Sequence, residues 1–490
     1  MDASRLISSR GPSDRWLYSW GTALLYSAFG LGMLLLLFIT WKVDWILPFI
    51  PVVLLGGVAA WFLFQRPLLN LVTVLCCFIL VADFEDGIQP AEVFYGLYYL
   101  AFLGVWFFKR LFLMEKPVFV RVEDKFLFVF LLLMSLTFPL TLLFGGSVKM
   151  FIGEWSSLSL FAFYFPVKEA IEDNRYGLHW MVFVVGVLGL FVLGRNFYQY
   201  SNILSDAEQA WQVVKGRAVT NTAQIAATSF FALSLYLYAR KWAAKFFFLG
   251  LYVAFIGGLI LTQSRGYWVA VLFGSLILLL FVSKKDRNRL ILTGALTAGS
   301  VLIIAMVLFG DLITLVFGGL LDRVASIGSA ASKDISLVNR FLETQAVWEQ
   351  IKSNPVLGHG LGVSYRFFDI TYENSNAKSF IHNGYLAIWY QFGIWGVCLF
   401  FGFLGTLIRR IFSVVRSEHK DRLVLTSSQA ILGIMATLLL ATLTSNPFYL
   451  NDATLLLGLV TGIAGGCYSL NRANLKIEST DSDSSAESYS

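Results

Sequence analysis

Apolar stretches long enough to cross a bilayer recur from Trp20 to Tyr468. A hydrocarbon core about 30 Å thick takes roughly 20 apolar residues of helix. Within it every backbone polar group must be satisfied by protein, which leaves helices or a closed barrel. Runs of this length restrict the chain to an all-α polytopic bundle. Fourteen spans are predicted: Trp20–Trp41, Trp45–Phe64, Leu68–Ala82, Val93–Phe108, Phe126–Phe144, Met150–Val167, Trp180–Gly194, Ala226–Ala239, Phe246–Leu261, Tyr267–Val282, Leu290–Phe309, Tyr385–Leu407, Val424–Leu443 and Ala453–Tyr468. Composition agrees. Hydrophobic residues make up 57% and charged residues 14% of the chain, against about 45–50% and about 25% in soluble domains. Met1 to Arg15 is polar and basic, with no small-residue cleavage site, so the first span is expected to stay as an anchor.

Charge orients the bundle. With residues 1–19 in the cytoplasm, Lys109, Arg110 and Lys116 fall inside, as do Arg240, Lys241 and Lys245. Lys284, Lys285, Arg287 and Arg289 follow, and then Arg409, Arg410, Arg416, Lys420 and Arg422. About 25 Lys/Arg lie inside and about 12 outside, the bias demanded by the positive-inside rule. Spans 1–11 then fill residues 20–309, an outer loop residues 310–384 and spans 12–14 residues 385–468. Residues 469–490, rich in Ser, Asp and Glu, are predicted to be a disordered cytoplasmic tail. A second outer loop runs from Arg195 to Ile225. The larger loop has helical periodicity at Leu337, Phe341, Trp348 and Ile351, closed by Asn354-Pro355. It is expected to form a helical cap on the outer surface.

Several partners are disfavoured. Cys76, Cys77, Cys398 and Cys467 all lie in apolar runs, so neither a disulfide framework nor a zinc site is expected. His359 and His382 lack further ligands at metal-site spacing. No dense basic stripe with interleaved aromatics points to nucleic acid. Gly358-His359-Gly360-Leu361-Gly362 is not a phosphate loop, because no Lys-Ser/Thr helix follows it. It reads as a turn.

Charge on the outer face is the unusual feature. Arg265 sits in the tight turn Gln263-Ser264-Arg265-Gly266, Arg217 just before the eighth span, and Arg340 at the start of the loop helix. Each alone reads as an interfacial arginine, and Arg340 has Glu343 one turn on as an ion-pair partner. Together they could form a cationic pocket for phosphate, because guanidinium donates two parallel charge-assisted bonds. His382, at the mouth of the twelfth span, is either a solvated loop residue or a general base, since imidazole suits proton removal near neutral pH. Asn383 could orient the ring or an acceptor hydroxyl. Asp311, Asp322, Asp369 and Glu373 are further loop carboxylates.

His382-Asn383, nine residues, then Gly393-Ile394-Trp395-Gly396 resembles the His-Asn-x9-Gly-x-x-Gly signature of bacterial O-antigen ligases. Ser264-Arg265-Gly266 resembles that family's outer turn, and Arg340 to Gly360 the start of its large outer loop. The eleven residues from His382 to Gly393 make about three helical turns, which would put both on one face. Gly393 and Gly396 would let a neighbouring helix approach closely. The resemblance, to the O-antigen ligase and polymerase superfamily, spans roughly Arg217 to Gly396. It implies a GT-C-like glycosyltransferase of the bacterial inner membrane, active on the periplasmic face. The implied donor is a glycan on undecaprenyl pyrophosphate. The implied acceptor is lipid A–core for a ligase, or growing polysaccharide for a polymerase. No cofactor or metal is implied. By carry-over Arg217 and Arg265 bind the donor pyrophosphate, joined by Arg340 in the cationic pocket, and His382 activates the acceptor hydroxyl. A small-anion transporter is the rival of another class. Transporters place ionisable residues in mid-span, whereas charge here gathers at the surface. The orientation is testable: cysteines introduced at Ser332 and Asn376 should react with impermeant thiol reagents added from outside, and labelling only after membrane permeabilisation contradicts the fourteen-span layout.

Overall fold

The computed structural model describes residues 62–81, 90–113, 117–174, 176–205, 222–295, 299, 335–370, 373–417 and 421–487. The chain divides into two compact units, residues 1–120 and 121–490. In the first, the described helices are α1 (Pro67–Cys77) and α2 (Pro90–Phe108). Pro67 opens α1, where its fixed φ suits the first turn. The Tyr98 hydroxyl donates to Asn70 Oδ1 at 2.5 Å and joins the two helices. The first two predicted spans lie outside the described residues apart from 62–64.

The second unit positions the site. Its elements are α3 (Val122–Leu136), a short helix Phe138–Leu143, α4 (Val148–Ser159), α5 (Tyr164–Asp173), α6 (Gly177–Ser205), α7 (Thr222–Tyr238), α8 (Trp242–Leu261), α9 (Arg265–Phe281), α10 (Ile335–Ser353), β1 (Tyr365–Asp369), β2 (Asn374–Lys378), α11 (Gly384–Arg416), α12 (Arg422–Ala441) and α13 (Asn451–Glu487). Helix α12 packs on α9, α7 and α11, while α13 lies along α5 and α3 along α11. Burial separates centre from periphery: 78% of the apolar window of α12 and 83% of that of α13 is buried by protein, against 17% for α8. Glycine sets the closest approach. A Cβ at Gly274 on α9 would fall 2.5 Å from the Gly433 carbonyl on α12, so these backbones touch as small-residue crossings allow.

Among the described residues of both units, seven helices are long and apolar enough to cross a membrane, and α1 and α9 are shorter apolar helices. The chain is a multi-pass membrane protein. Four expectations need correction. The sixth predicted span is two helices, α4 and α5, joined by the 3-10 turn Leu160–Phe163. Helix α6 runs on to Ser205, past the predicted loop start at Arg195. Its 29 residues reach about 43 Å at 1.5 Å per residue, so hydropathy marked the bilayer's edge and not the helix's end. Helix α13 continues to Glu487 through the segment expected to be disordered, because a nucleated helix propagates at one hydrogen bond per residue. Lastly, the outer cap is not all helical. Tyr365–Asp369 and Asn374–Lys378 pair antiparallel, Tyr365 opposite Lys378 and Phe367 opposite Asn376.

The cap has its own core. Val347 and Ile351 of α10 meet Val363, Tyr365, Phe367, Ile381, Ala387 and Tyr390. The core-facing side of α10 is therefore Val347 and Ile351 with the partly buried Leu342 and Ala346; of the predicted positions Ile351 lies on it, while Phe341 and Trp348 do not. Phe341 is 69% and Trp348 39% exposed. A helix on a membrane surface can place apolar side chains on lipid as well as on its core, which blurs the periodicity.

At the opposite end of the bundle lie buried charges. Glu123 and Asp124 are fully buried at the start of α3. Lys168 Nζ binds Asp124 at 2.7 Å, the Tyr164 hydroxyl donates to the same carboxylate at 2.6 Å, and Arg410 lies 2.8 Å from Glu123. These contacts fasten α3 to α5 and α11. Losing one partner of a buried pair strands the other charge, at a cost of about 3–5 kcal/mol. Lys168→Met should therefore lower the thermal midpoint in detergent markedly, and Lys168→Met with Asp124→Leu should recover most of the loss. A single variant as stable as the parent contradicts this account of the pair.

Candidate functional site

Helix α11 is broken. Gly393 has φ +62° and ψ −164°, a conformation open in practice only to glycine. The break leaves backbone groups without helical partners, and the segment after α10 supplies them. The amide of His359 donates to the Tyr390 carbonyl (2.8 Å), Gly360 to Gln391 (3.0 Å), and Ile394 to the Pro355 carbonyl (3.0 Å). A Cβ at Gly393 would lie 2.1 Å from the Val356 carbonyl oxygen. Gly393 and Gly396 thus admit a loop and a kink, not the helix expected from sequence, and the one-face argument for His382 and Gly393 fails with the helix. The same segment is pinned from below. Gly362 N donates to Glu154 Oε2 at 2.6 Å, Gln391 Nε2 to the same oxygen at 2.8 Å, and Thr141 Oγ1 to the Leu361 carbonyl at 2.8 Å. The Tyr449 hydroxyl donates to Gln391 Oε1. His359 belongs to this wedge, stacked on Tyr390 at 4.6 Å. Burial pushes its imidazole below the ordinary range, against the pull of the Tyr390 carbonyl.

The break explains the motif's spacing. Helix α10 and the outer half of α11 both run toward this joint and pack together. Glu343 stands eleven residues before Asn354, and His382 eleven before Gly393. At 1.5 Å per residue both arms are about 16 Å long, so their far ends meet. His382 Nδ1 lies 2.7 Å from Glu343 Oε2, and the His382 amide donates to Oε1 at 2.6 Å. Glu343 is 4% exposed and the imidazole 37%. A carboxylate holding the Nδ1 proton leaves Nε2 of the neutral imidazole as the acceptor. The Tyr365 hydroxyl, which donates to the Phe380 carbonyl at 3.0 Å, is raised above its usual range by burial and then by the Glu343 charge. Asn383 caps α11, its Oδ1 accepting from Tyr385 N (3.1 Å) and Leu386 N (3.2 Å), and so fixes where the helix starts beside His382.

Glu343 is the site residue that sequence reasoning missed: it was considered only as an ion-pair partner of Arg340, and both its oxygens meet His382. The available signal was a carboxylate among Leu342, Ala346 and Val347 on a buried helix face, a place carboxylates occupy only when partnered.

Arg265 is the first residue of α9, after a turn in which Gln263 takes φ +51°. The turn after α12 connects it to the histidine. Gly384 N donates to the Thr442 carbonyl at 3.0 Å and Asn446 Nδ2 to the Ile381 carbonyl at 2.9 Å. Two residues from Thr442, the Thr444 hydroxyl oxygen lies 2.9 Å from where a Gly266 Cβ would stand. The helix starts bearing Arg265 and His382 thus share one five-residue brace, 442–446. Arg340 is half-buried one turn before Glu343 on α10. Arg217, Asp311 and Asp322 lie outside the described residues. Asp369 is a structural tie, accepting from Asn339 Nδ2 at 2.8 Å and Lys378 Nζ at 3.0 Å. Among the described residues, no three His, Cys, Asp or Glu side chains gather as a metal site.

Residues 250–401 match the family described as O-Antigen ligase. This match supports membership of the O-antigen ligase superfamily. The matched segment contains Arg265, Arg340, Glu343, His382, Gly393 and Gly396 and excludes Arg217. No curated protein matches the chain. The match supports glycosyl transfer of the O-antigen ligase or polymerase type in broad terms, and the break at Gly393 lies inside the matched segment.

The joint generates a direct test. Gly393→Ala introduces both a strained φ, which costs about 1–3 kcal/mol, and a clash with Val356. It should lower the thermal midpoint and make the segment after Asn354 more susceptible to protease. Gly405→Ala, in the unbroken part of α11 with open space at its Cβ, should do neither. Equal behaviour of the two variants contradicts the role given to Gly393.

Proposed function

We propose that the chain is an inverting, metal-independent glycosyltransferase with a GT-C-like membrane architecture, its active face periplasmic and both termini cytoplasmic. It moves a glycan from undecaprenyl pyrophosphate to a sugar hydroxyl of lipid A–core. The observation that carries this reading is the His382–Glu343 pair, set at the outer mouth of α11 and braced to the helix start bearing Arg265. The acceptor hydroxyl gives its proton to His382 Nε2 while its oxygen attacks the anomeric carbon. The bond from that carbon to the pyrophosphate oxygen breaks, and configuration inverts. Glu343 steadies the imidazolium that forms, as a buried carboxylate does for a base of this kind. Arg265 and Arg340 offset the charge that develops on the leaving pyrophosphate, and the family resemblance assigns Arg217 to the same anion. This division of labour needs no metal.

Two measurements test it. Purified His382→Ala should bind donor as the parent does and transfer about 10²–10⁴ times more slowly, the range for losing a general base. Glu343→Gln should fall in the same direction. Arg265→Ala should weaken donor binding and slow transfer by about 10²–10³, with partial rescue in Arg265→Lys, which keeps charge but loses the fork. Wild-type turnover in His382→Ala removes the base assignment, and activity lost in EDTA and restored by Mg²⁺ removes metal independence. In a deletion strain, lipid A should lose its long chains while lipid-linked polymer persists. Accumulation of single repeat units would instead identify a polymerase.

A further inference from the structure

The end of the bundle remote from the cap holds a groove of about 980 Å³ between α6, α7 and α8. Its walls are apolar, built from residues such as Val182, Leu190, Phe231 and Phe255, and Gly186 leaves open space along one side. Its rim is basic. Arg240 and Lys241 follow the end of α7 and Arg422 opens α12, and all three line the groove and are exposed. Asp421 also lies there, but its carboxylate is committed to capping α12 and accepts from Leu423 N at 2.9 Å and Val424 N at 3.3 Å. Helices α8 and α12 start at this rim and end beside Arg265 and Thr442, so the groove and the candidate active site occupy opposite ends of the same helices.

This combination selects a ligand class. An apolar slot about as large as the largest small-molecule pockets suits hydrocarbon and offers nothing to a free anion. A cationic rim at helix ends suits a phosphate at headgroup depth, as basic pockets between membrane helices do for acidic lipids. Helix α8, one wall of the slot, is the least protein-covered helix of this unit's long spans, so acyl chains reach the slot sideways from the bilayer. We propose that this groove binds an anionic glycerophospholipid, with its acyl chains against α6, α7 and α8 and its phosphate held by Arg240, Lys241 and Arg422. The site does not depend on the glycan-transfer reading, and its occupancy is measured without substrate.

The test uses the full chain in nanodiscs or neutral detergent, with retained lipid read by native mass spectrometry. Phosphatidylglycerol should be retained over phosphatidylcholine of the same chains. Charge removal in Arg240→Gln, Lys241→Gln and Arg422→Gln together should lower that preference by about fivefold per charge and leave phosphatidylcholine unchanged. Gly186→Trp keeps every cation and fills the slot, and it should lower phosphatidylglycerol retention as well. Leu190→Trp is a second filling variant, and the thermal midpoint of each variant verifies its fold. The proposal is overturned if phosphatidylglycerol retention survives the triple variant. It is equally overturned if folded filling variants bind as the parent does, because that outcome reduces the effect to diffuse attraction between surface charge and lipid. Full displacement of the lipid by inorganic phosphate would also overturn it, since the acyl chains would then contribute nothing.

Discussion

A break in a membrane helix strands backbone groups where no water can reach them, and protein must satisfy each one. At Gly393 that requirement organises the whole outer face. The carbonyls of Tyr390 and Gln391 and the amide of Ile394 are met by residues 355–360, so the segment leaving α10 is part of the span's own hydrogen bonding. The cap is consequently fixed from below. Its strands and core add stability, but its position is set by the joint. Glu154, reaching Gly362 and Gln391 from α4, extends the same logic to the neighbouring broken helix. Two discontinuous helices thus support each other through one carboxylate.

The placement of charge follows from this frame and bears on the class of protein. Glu343 is nearly inaccessible and is held by His382 through both oxygens. Asp369 and Asp124 are each bonded by a lysine and a second donor. A transporter of anions would show cations or broken helices converging near the bilayer midplane. Here Arg265 begins α9 and His382 precedes α11, both at the N-terminal ends of their helices. The break in α11 is likewise filled by protein backbone. Under the proposed reaction these helix ends form the reaction centre at the surface, with the bundle as its support.

Much of the bundle was legible because bilayer thickness imposes a length that hydropathy can read. α7, α8, α9 and α12 fall close to their predicted spans. What hydropathy cannot read is a break, since residues on both sides of Gly393, or across Leu160–Phe163, are as apolar as in a straight helix. Gly393 was visible as a motif residue, but small residues serve close helix packing and positive φ alike, and only the structure separates the two. The hairpin was missed although Tyr365 and Phe367 alternate with exposed Arg366 and Phe368. The alternation covers only five residues inside a long loop. Reading α10 in the right phase would have put Glu343 on the buried face and raised the question of its partner. Phe341 and Trp348 pulled the phase away, because aromatic side chains at a membrane surface need not point into the protein.

Reaction chemistry at a bilayer surface has to bring together a donor anchored in lipid and an acceptor arriving through water. Under the proposed reaction the fold assigns one helix start to each. Arg265 opens a membrane helix, where a lipid-linked pyrophosphate can reach it while its hydrocarbon stays in the bilayer. His382 stands at the top of the arm formed by the outer half of α11, its imidazole partly exposed. Two such groups on independent loops would drift by more than the roughly 0.5 Å that a preorganised site tolerates. Here the brace at 442–446 bonds the backbone before and after His382, at Ile381 and Gly384, and abuts Gly266 on the other side. The base and the cation are therefore positioned by one short segment of α12's terminal turn. That segment needs no titratable group of its own to matter: its contribution is the fixed distance between the proton acceptor and the leaving-group anion.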